Sequence, residues 1–134
     1  ASQIMLGQET LAMRYAKACE NAQAIARFLS SHAGIIKVYH PSLETHPQHA
    51  LVHSQFETTG AILAFDLANG VAPVAFINAL NTILCATHLG DTRTLAFLWR
   101  KTSFLNLLRQ SEMRWGLQML MFAYQLALKT PKIC

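Results

Sequence analysis

The sequence predicts an α+β fold, a small sheet with helices on one side. Apolar residues recur at intervals of three, four and seven in the first third of the chain: Leu11, Ala18, Ala22, Ile25 and Leu29. That spacing places them on one face of a helix. Two later runs, GIIKVYHP and GAILAFDLANG, are short, apolar and bounded by glycine or proline, as buried strands are. Helix and strand patterns alternate within 134 residues, a length that suits one domain with its own core.

The predicted elements follow one another in a simple order. We expect the first helix to end within SSHAG, where serine and glycine favour a turn. The first strand, GIIKVYHP, closes at Pro41 because proline has no backbone N–H to donate. A short helix is expected from Pro47, since proline suits a first helical turn. GAILAFDLANG, VAPVAFINAL and NTILCAT predict a second strand, a further helix and a third strand, which should bury Cys85.

Charge is distributed unevenly along the chain. Residues 1–96 contain five Lys/Arg and six Asp/Glu (−1), whereas residues 97–134 contain six and one (+5), which together give the net charge of +4. Both tryptophans, Trp99 and Trp115, also lie in the second stretch. We therefore divide the chain into a domain, residues 1–96, and a basic, apolar tail, residues 97–134, which is expected to be helical or disordered.

The cysteines and the apolar runs favour an intracellular protein. Cys19, Cys85 and Cys134 have neither metal-type nor redox-type spacing, which suits a reduced compartment, so we expect a cytoplasmic protein. No secretory signal is visible at the start. The most apolar run, residues 117–128, contains two glutamines and is shorter than the roughly 20 residues of a membrane-spanning helix. Neither a cysteine beside a base nor a glycine-rich phosphate loop is evident, so the residues alone indicate no active site.

Three histidines have a spacing that could bind a metal. His46, His49 and His53 are separated by three and four residues, so on one helix they would share a face, as zinc ligands can. Pro47 unsettles the helix at the first of them, and few carboxylates or thiols support them. Histidines that cap a turn or pack at a surface are commoner, so we expect no metal site. His88, beside LGD, is placed to border a cleft.

Three stretches, GQETLAMR, VYHPSLETHPQH and HLGDTRTL, occur in order between about Gly7 and Ala96. With the runs between them, they resemble the trans-sulfuration family, the pyridoxal-phosphate (PLP) enzymes of cysteine and methionine metabolism. That group includes cystathionine gamma-synthase, cystathionine lyases, methionine gamma-lyase and homoserine sulfhydrylases, and the resemblance does not choose among their reactions. It implies the C-terminal small domain of a fold-type-I enzyme, homo-oligomeric in the parent family. It also implies that HPQH is an element of the fold rather than a metal site.

The resemblance assigns few functional residues to this chain. The family's Ser-Leu-Gly segment at the substrate cleft matches His88, Leu89 and Gly90, so these residues are expected at the cleft edge. The family's PLP-binding lysine precedes the counterpart of Gly7 and has no counterpart here. The strand RVSIGIED, whose arginine holds the substrate carboxylate, is also missing. We therefore expect no catalytic residue, no cofactor-binding residue, no bound PLP and no activity of this chain alone.

The tail gives a different result when it is read one base out of frame. The codons for FAYQLALKTPKIC permit RVSIGIEDPKDL, the family's carboxylate strand, when each triplet starts one base earlier. The same shift permits AVGIADAHV from MRWGLQMLM, and the codons of Trp115 and Gly116 must then give glycine, as the family pattern has it. We therefore expect a one-base insertion or deletion near Ala96 and Phe97.

An alternative function belongs to another class of protein, a small interaction module. The basic, aromatic tail has the chemistry to bind a membrane surface or a partner helix, through residues such as Trp99, Arg100 and Lys101. Nucleic-acid binding is not expected, because neither a recognised fold nor a regular basic face accompanies the charge.

Overall fold

The computed structural model describes residues 2–88, 91–98 and 118–122. The helices of this part are α1 (Ser2–Glu9), α2 (Leu11–Ser30), α3 (His49–Gln55) and α4 (Pro73–Asn78). Its strands are β1 (Ile35–Tyr39), β2 (Ile62–Leu67), β3 (Leu84–Cys85), β4 (Leu95–Leu98) and β5 (Gln118–Phe122). The predicted α+β class is confirmed, with α3 beginning two residues after Pro47. Within the described ranges, no helix is both long and apolar enough to cross a membrane.

The five strands form one sheet in the order β1-β2-β5-β4-β3. Neighbours are antiparallel except β3 and β4, which run parallel. Since β5 is antiparallel to both β2 and β4, those two strands run in the same direction on either side of it.

Helix α2 forms where the periodic apolar residues predict it. It ends at Ser30, and the hydroxyl of Ser31 donates to the Phe28 carbonyl oxygen at 2.9 Å, which closes the last turn. Its buried face packs on the sheet in a core cluster that includes Ala22, Ile25, Ala26, Leu29, Val38, Leu63 and Phe65. Because Phe65 has no exposed surface, its truncation to alanine would cost about 3–5 kcal/mol of stability.

The third predicted strand is shorter and more exposed than expected. Only Leu84 and Cys85 form β3, and Cys85 is exposed, so the prediction that it lies in a buried strand is wrong. The physical reason is that β3 lies at the edge of the sheet and has a strand on one side only. NTILCAT carries the composition of a strand but does not reveal an edge position.

The expectation of a helical or disordered tail is wrong for residues 118–122, which form β5 between β2 and β4. The two flanking strands would otherwise leave backbone donors and acceptors unpaired in the middle of the sheet, and β5 satisfies them. The predicted boundary after Ala96 falls within β4 and stays a prediction. The rest of the tail, with Trp99 and Trp115, lies outside the described residues except for Phe97 and Leu98, which are buried.

Candidate functional site

The polarity of the sheet brings two loops to one edge. Ile62 and Leu95 both pair with Phe122, so the first residues of β2 and β4 lie level with each other. They are two strand spacings apart, about 10 Å. Strand β1 ends at the same edge, since its Tyr39 pairs with Ala64. We call this the cleft edge, because the resemblance predicts a substrate cleft here: residues 40–42 after β1, residues 59–61 before β2, and residues 91–94 before β4.

An ion pair fixes the part of the cleft edge that leads into β4. Oδ1 of Asp91 accepts hydrogen bonds from the backbone N–H of Arg93 at 3.0 Å and from its Nε at 3.1 Å. Oδ2 accepts from Nη2 of Arg93 at 2.8 Å, so the guanidinium meets the carboxylate with two nitrogens. These bonds, with smaller help from the charge of His88, lower the pKa of Asp91 to about 2. The loop is thereby held in a defined turn before β4.

His88, predicted at the cleft edge, is exposed and lies close enough to Asp91 for its charge to act on that carboxylate. Leu89 and Gly90, predicted with it, lie outside the described residues. The structure therefore places His88 within electrostatic range of the Asp91–Arg93 pair, which sequence reasoning missed. The signal for that pair was present, because an aspartate two residues before an arginine can fold back on its own turn.

His40 joins β1 to β2 at the cleft edge and was also missed. Its ring is fully buried, with Nδ1 2.7 Å from the Ser42 hydroxyl and 3.3 Å from the Ser42 backbone N–H. A backbone N–H can only donate, so Nδ1 accepts, and Nε2 carries the proton that faces the Gly60 carbonyl oxygen at 3.3 Å. Burial lowers the pKa of His40, the bond to Gly60 opposes this, and His46 adds to the lowering. A neutral imidazole therefore ties the two strands together.

A groove of about 830 Å³ lies beside the cleft edge, between α2 and α3. One wall of the groove belongs to α2 and consists of Ala12, Tyr15 and Ala16. The other wall belongs to α3, with Val52 and Gln55, and residues 56–60 complete the lining. The surface is largely apolar, and Phe56 at its rim is 62% exposed. This is the kind of surface that contacts another part of a protein.

The three histidines considered as metal ligands do not form one cluster. Nδ1 of His46 accepts from the backbone N–H of Gln48 at 3.2 Å, before α3 begins. His49 and His53 lie on α3 with ring centroids 4.4 Å apart. Over the residues that the structure describes, no three His, Cys, Asp or Glu side chains converge as a metal site would require.

Comparison with known proteins decides the family. The model of the family described as "Cys/Met metabolism PLP-dependent enzyme" matches residues 1–122. The chain belongs to this family. The resemblance read from the sequence is thus confirmed, and the match passes Ala96 and ends with the last residue of β5.

Curated relatives of the chain in this family include lyases and a sulfhydrylase. The chain is 39% identical over 93 residues to an L-methionine gamma-lyase of Fusobacterium nucleatum, covering 69% of the chain and 24% of the relative. It is 39% identical over 89 residues to an O-succinylhomoserine sulfhydrylase of Pseudomonas aeruginosa, covering 66% and 22%. The chain therefore spans about a quarter of the length of the curated relatives it matches.

Solved structures share the fold. A cystathionine gamma-lyase from Lactobacillus plantarum, complexed with L-serine, has a TM-score of 0.82 and 25% identity, covering 90% of this chain and 32% of that one. A cystathionine gamma synthase from Xanthomonas oryzae pv. oryzae has a TM-score of 0.77 and 31% identity, covering 87% and 32%. The sheet and helices described above are thus a fold found in PLP-dependent enzymes.

The described residues do not fit a PLP site by themselves. The cofactor of this family needs a lysine within a pocket, and the described part of the chain has two lysines. Nζ of Lys17 lies 2.6 Å from the Glu20 carboxylate on the exposed side of α2. Nζ of Lys37 lies 4.9 Å from the centroid of the Tyr39 ring. Neither lysine lines the groove.

Proposed function

We propose that residues 1–96, with the strands β4 and β5 that complete their sheet, form the C-terminal small domain of a PLP-dependent enzyme of cysteine and methionine metabolism. We further propose that the 134-residue chain by itself neither holds PLP nor catalyses a reaction. The observation that carries the proposal is that nearly the whole described fold corresponds to about one third of each family structure it matches. PLP supplies the electron sink in this chemistry, and the protein supplies binding and orientation. A cytoplasmic location belongs to the same proposal.

His88, Leu89 and Gly90 form one wall of the substrate cleft in this proposal. Their support is that His88 lies close enough to Asp91 for its charge to lower the pKa of that carboxyl group. His88 stands where the family has a serine, so an imidazole ring replaces a small hydroxymethyl group at the substrate. Arg93 does not replace the missing carboxylate arginine, because its Nε and Nη2 are both bonded to Asp91.

The exposed apolar surface of the first helices supports the same proposal. Ile4, Met5 and Leu6 of α1 are 64–70% exposed, and Met13 of α2 is 76% exposed. Large apolar side chains that are exposed on neighbouring helices are typical of a contact with another part of a protein. In the proposed enzyme this surface packs against the part that holds the cofactor.

A chimera tests the role of the cleft edge. The segment of the Pseudomonas aeruginosa O-succinylhomoserine sulfhydrylase that this chain matches is replaced with the matching residues of the chain. We expect the chimera to retain PLP with reduced activity, and His88→Ser to raise its kcat/KM. His32→Ser, a change of an exposed histidine on the turn after α2, is the matched control and should have no effect. Equal effects of the two changes would contradict the placement of His88 in the cleft.

We also propose that the reading frame changes near Ala96 and Phe97. The support for this proposal comes from the codons of Trp115 and Gly116, which give the family's glycine in the neighbouring frame. Sequencing the coding region on both strands tests it. We expect the neighbouring frame to continue, without a stop codon, into the family's carboxylate strand; an interrupted frame would refute the proposal.

The interaction module, the alternative function, has no supporting observation. Its basic residues, from Arg100 onward, lie outside the described residues. The family match favours the small domain of an enzyme instead.

A further inference from the structure

Helix α3 carries two imidazole rings one helical turn apart. His49 and His53 are separated by four residues, which places their side chains on the same face of the helix. Their ring centroids are 4.4 Å apart and their planes are tilted by 60°. The two rings are therefore direct neighbours.

A hydrogen bond to a backbone carbonyl fixes the orientation of the His49 ring. Its Nδ1 lies 2.8 Å from the carbonyl oxygen of Pro41, and a carbonyl oxygen can only accept. Nδ1 therefore carries the proton, and Nε2 keeps its lone pair. A histidine that binds a metal uses this same arrangement, in which the second nitrogen donates to a backbone carbonyl and holds the ring in place.

The spacing of the rings suits one small cation between them. Imidazole nitrogens bind such ions at about 2.0–2.1 Å, so two rings that approach one ion at right angles have their centroids roughly 4.5 Å apart. The 4.4 Å between the centroids of His49 and His53 is close to that separation. His49 is half-buried and His53 is exposed, so water can reach the ion and complete its coordination.

We propose that His49 and His53 form a two-imidazole binding site for a borderline divalent cation, Cu²⁺, Ni²⁺ or Zn²⁺. His46, whose Nδ1 is bonded to the backbone before α3, is not part of it. Two nitrogen ligands suit these ions more than Mg²⁺ or Ca²⁺, which prefer oxygen. Copper binds most tightly, because affinity rises to Cu²⁺ along the first-row divalent ions. The site involves neither PLP nor His88, although His49 is held by Pro41 of the cleft edge.

Calorimetric titration of the full chain, freed of metal with a chelator, tests the site with CuCl₂ and ZnCl₂. His53→Asn should weaken Cu²⁺ binding by about tenfold or more. Mutation of a group that only hydrogen-bonds to a metal ligand typically lowers metal affinity by about ten- to a hundredfold, and loss of a ligand itself should cost at least as much. His32→Gln, the change of another exposed histidine, is the control and should alter the affinity less than about twofold. Equal affinity of wild type and His53→Asn would overturn the proposal.

A second measurement needs no variant. During titration of the wild-type chain with Zn²⁺, the ring carbon and proton signals of its histidines are followed by NMR. The proposal requires that the signals of His49 and His53 shift together and before the others. Earlier shifts at His32, His46 or His88 would overturn it.

Discussion

Burial of the His40 ring makes the stability of this domain depend on pH. The ring is fully buried and its Nδ1 faces two donors of Ser42, so the folded protein excludes a second proton. Burial lowers the pKa of His40, whereas in the unfolded chain the imidazole titrates near its ordinary pKa of 6.5. Below that pH the unfolded state binds one proton more than the folded state. The stability contribution is therefore complete above pH 6.5 and is lost as pH falls, by up to about 1.4 kcal/mol per pH unit.

Urea unfolding at several pH values between about 5 and 8 measures this slope. In His40→Asn the amide oxygen can still accept from Ser42, but the bond to the Gly60 carbonyl oxygen is lost and no group titrates at this position, so the unfolding free energy should be lower and should depend much less on pH in this window. His53→Asn, the change of an exposed histidine, should keep the wild-type slope. Asp91 does not interfere, because its low pKa acts only in more acidic solution. An unchanged slope in His40→Asn would refute the reasoning.

Three further changes test the described contacts. Asn21 is 7% exposed and its Nδ2 lacks an acceptor among the described residues. Asn21→Leu removes this unpaired donor and should raise the free energy of unfolding in urea by about 1 kcal/mol or more. A decrease would contradict this prediction. Gly60 has φ of +89°, so Gly60→Ala should lower the free energy of unfolding by roughly 1–2 kcal/mol, whereas Gly7→Ala in α1 should raise it by up to about 1 kcal/mol. Arg93→Gln should move the pKa of Asp91 from about 2 toward its ordinary value of 3.8 in a carboxyl-carbon NMR titration, and an unmoved midpoint would show that Arg93 is not the cause.

The fold was predictable from sequence where one element carries its own pattern. Helix α2 buries residues spaced by three and four, and β2 alternates buried Leu63, Phe65 and Leu67 with more exposed neighbours, so short-range spacing suffices for both. Strand order did not follow from spacing. The insertion of β5 between β2 and β4 depends on backbone pairing between residues far apart in the chain, which local composition does not encode. The exposure of Cys85 has the same origin, since an edge strand and a central strand share a composition.

The candidate site was predictable in part. A matched motif, HLGDTRTL, drew attention to His88, whereas the bonds from Arg93 to Asp91 depend on how the side chains turn. The burial of His40 depends on Gly60, twenty residues later, and no periodic pattern links the two. A contact such as that between His40 and Gly60 becomes visible only once the positions of β1 and β2 in the sheet are known.

The most direct test of the account is the amount of PLP that the purified 134-residue protein retains. After incubation with excess PLP and gel filtration, we predict no PLP absorbance in the protein fraction and no release of sulfide or thiol from a sulfur amino acid. The L-methionine gamma-lyase of Fusobacterium nucleatum, treated alongside, is the positive control. A yellow protein fraction that holds stoichiometric PLP and turns over a sulfur amino acid would contradict the proposal.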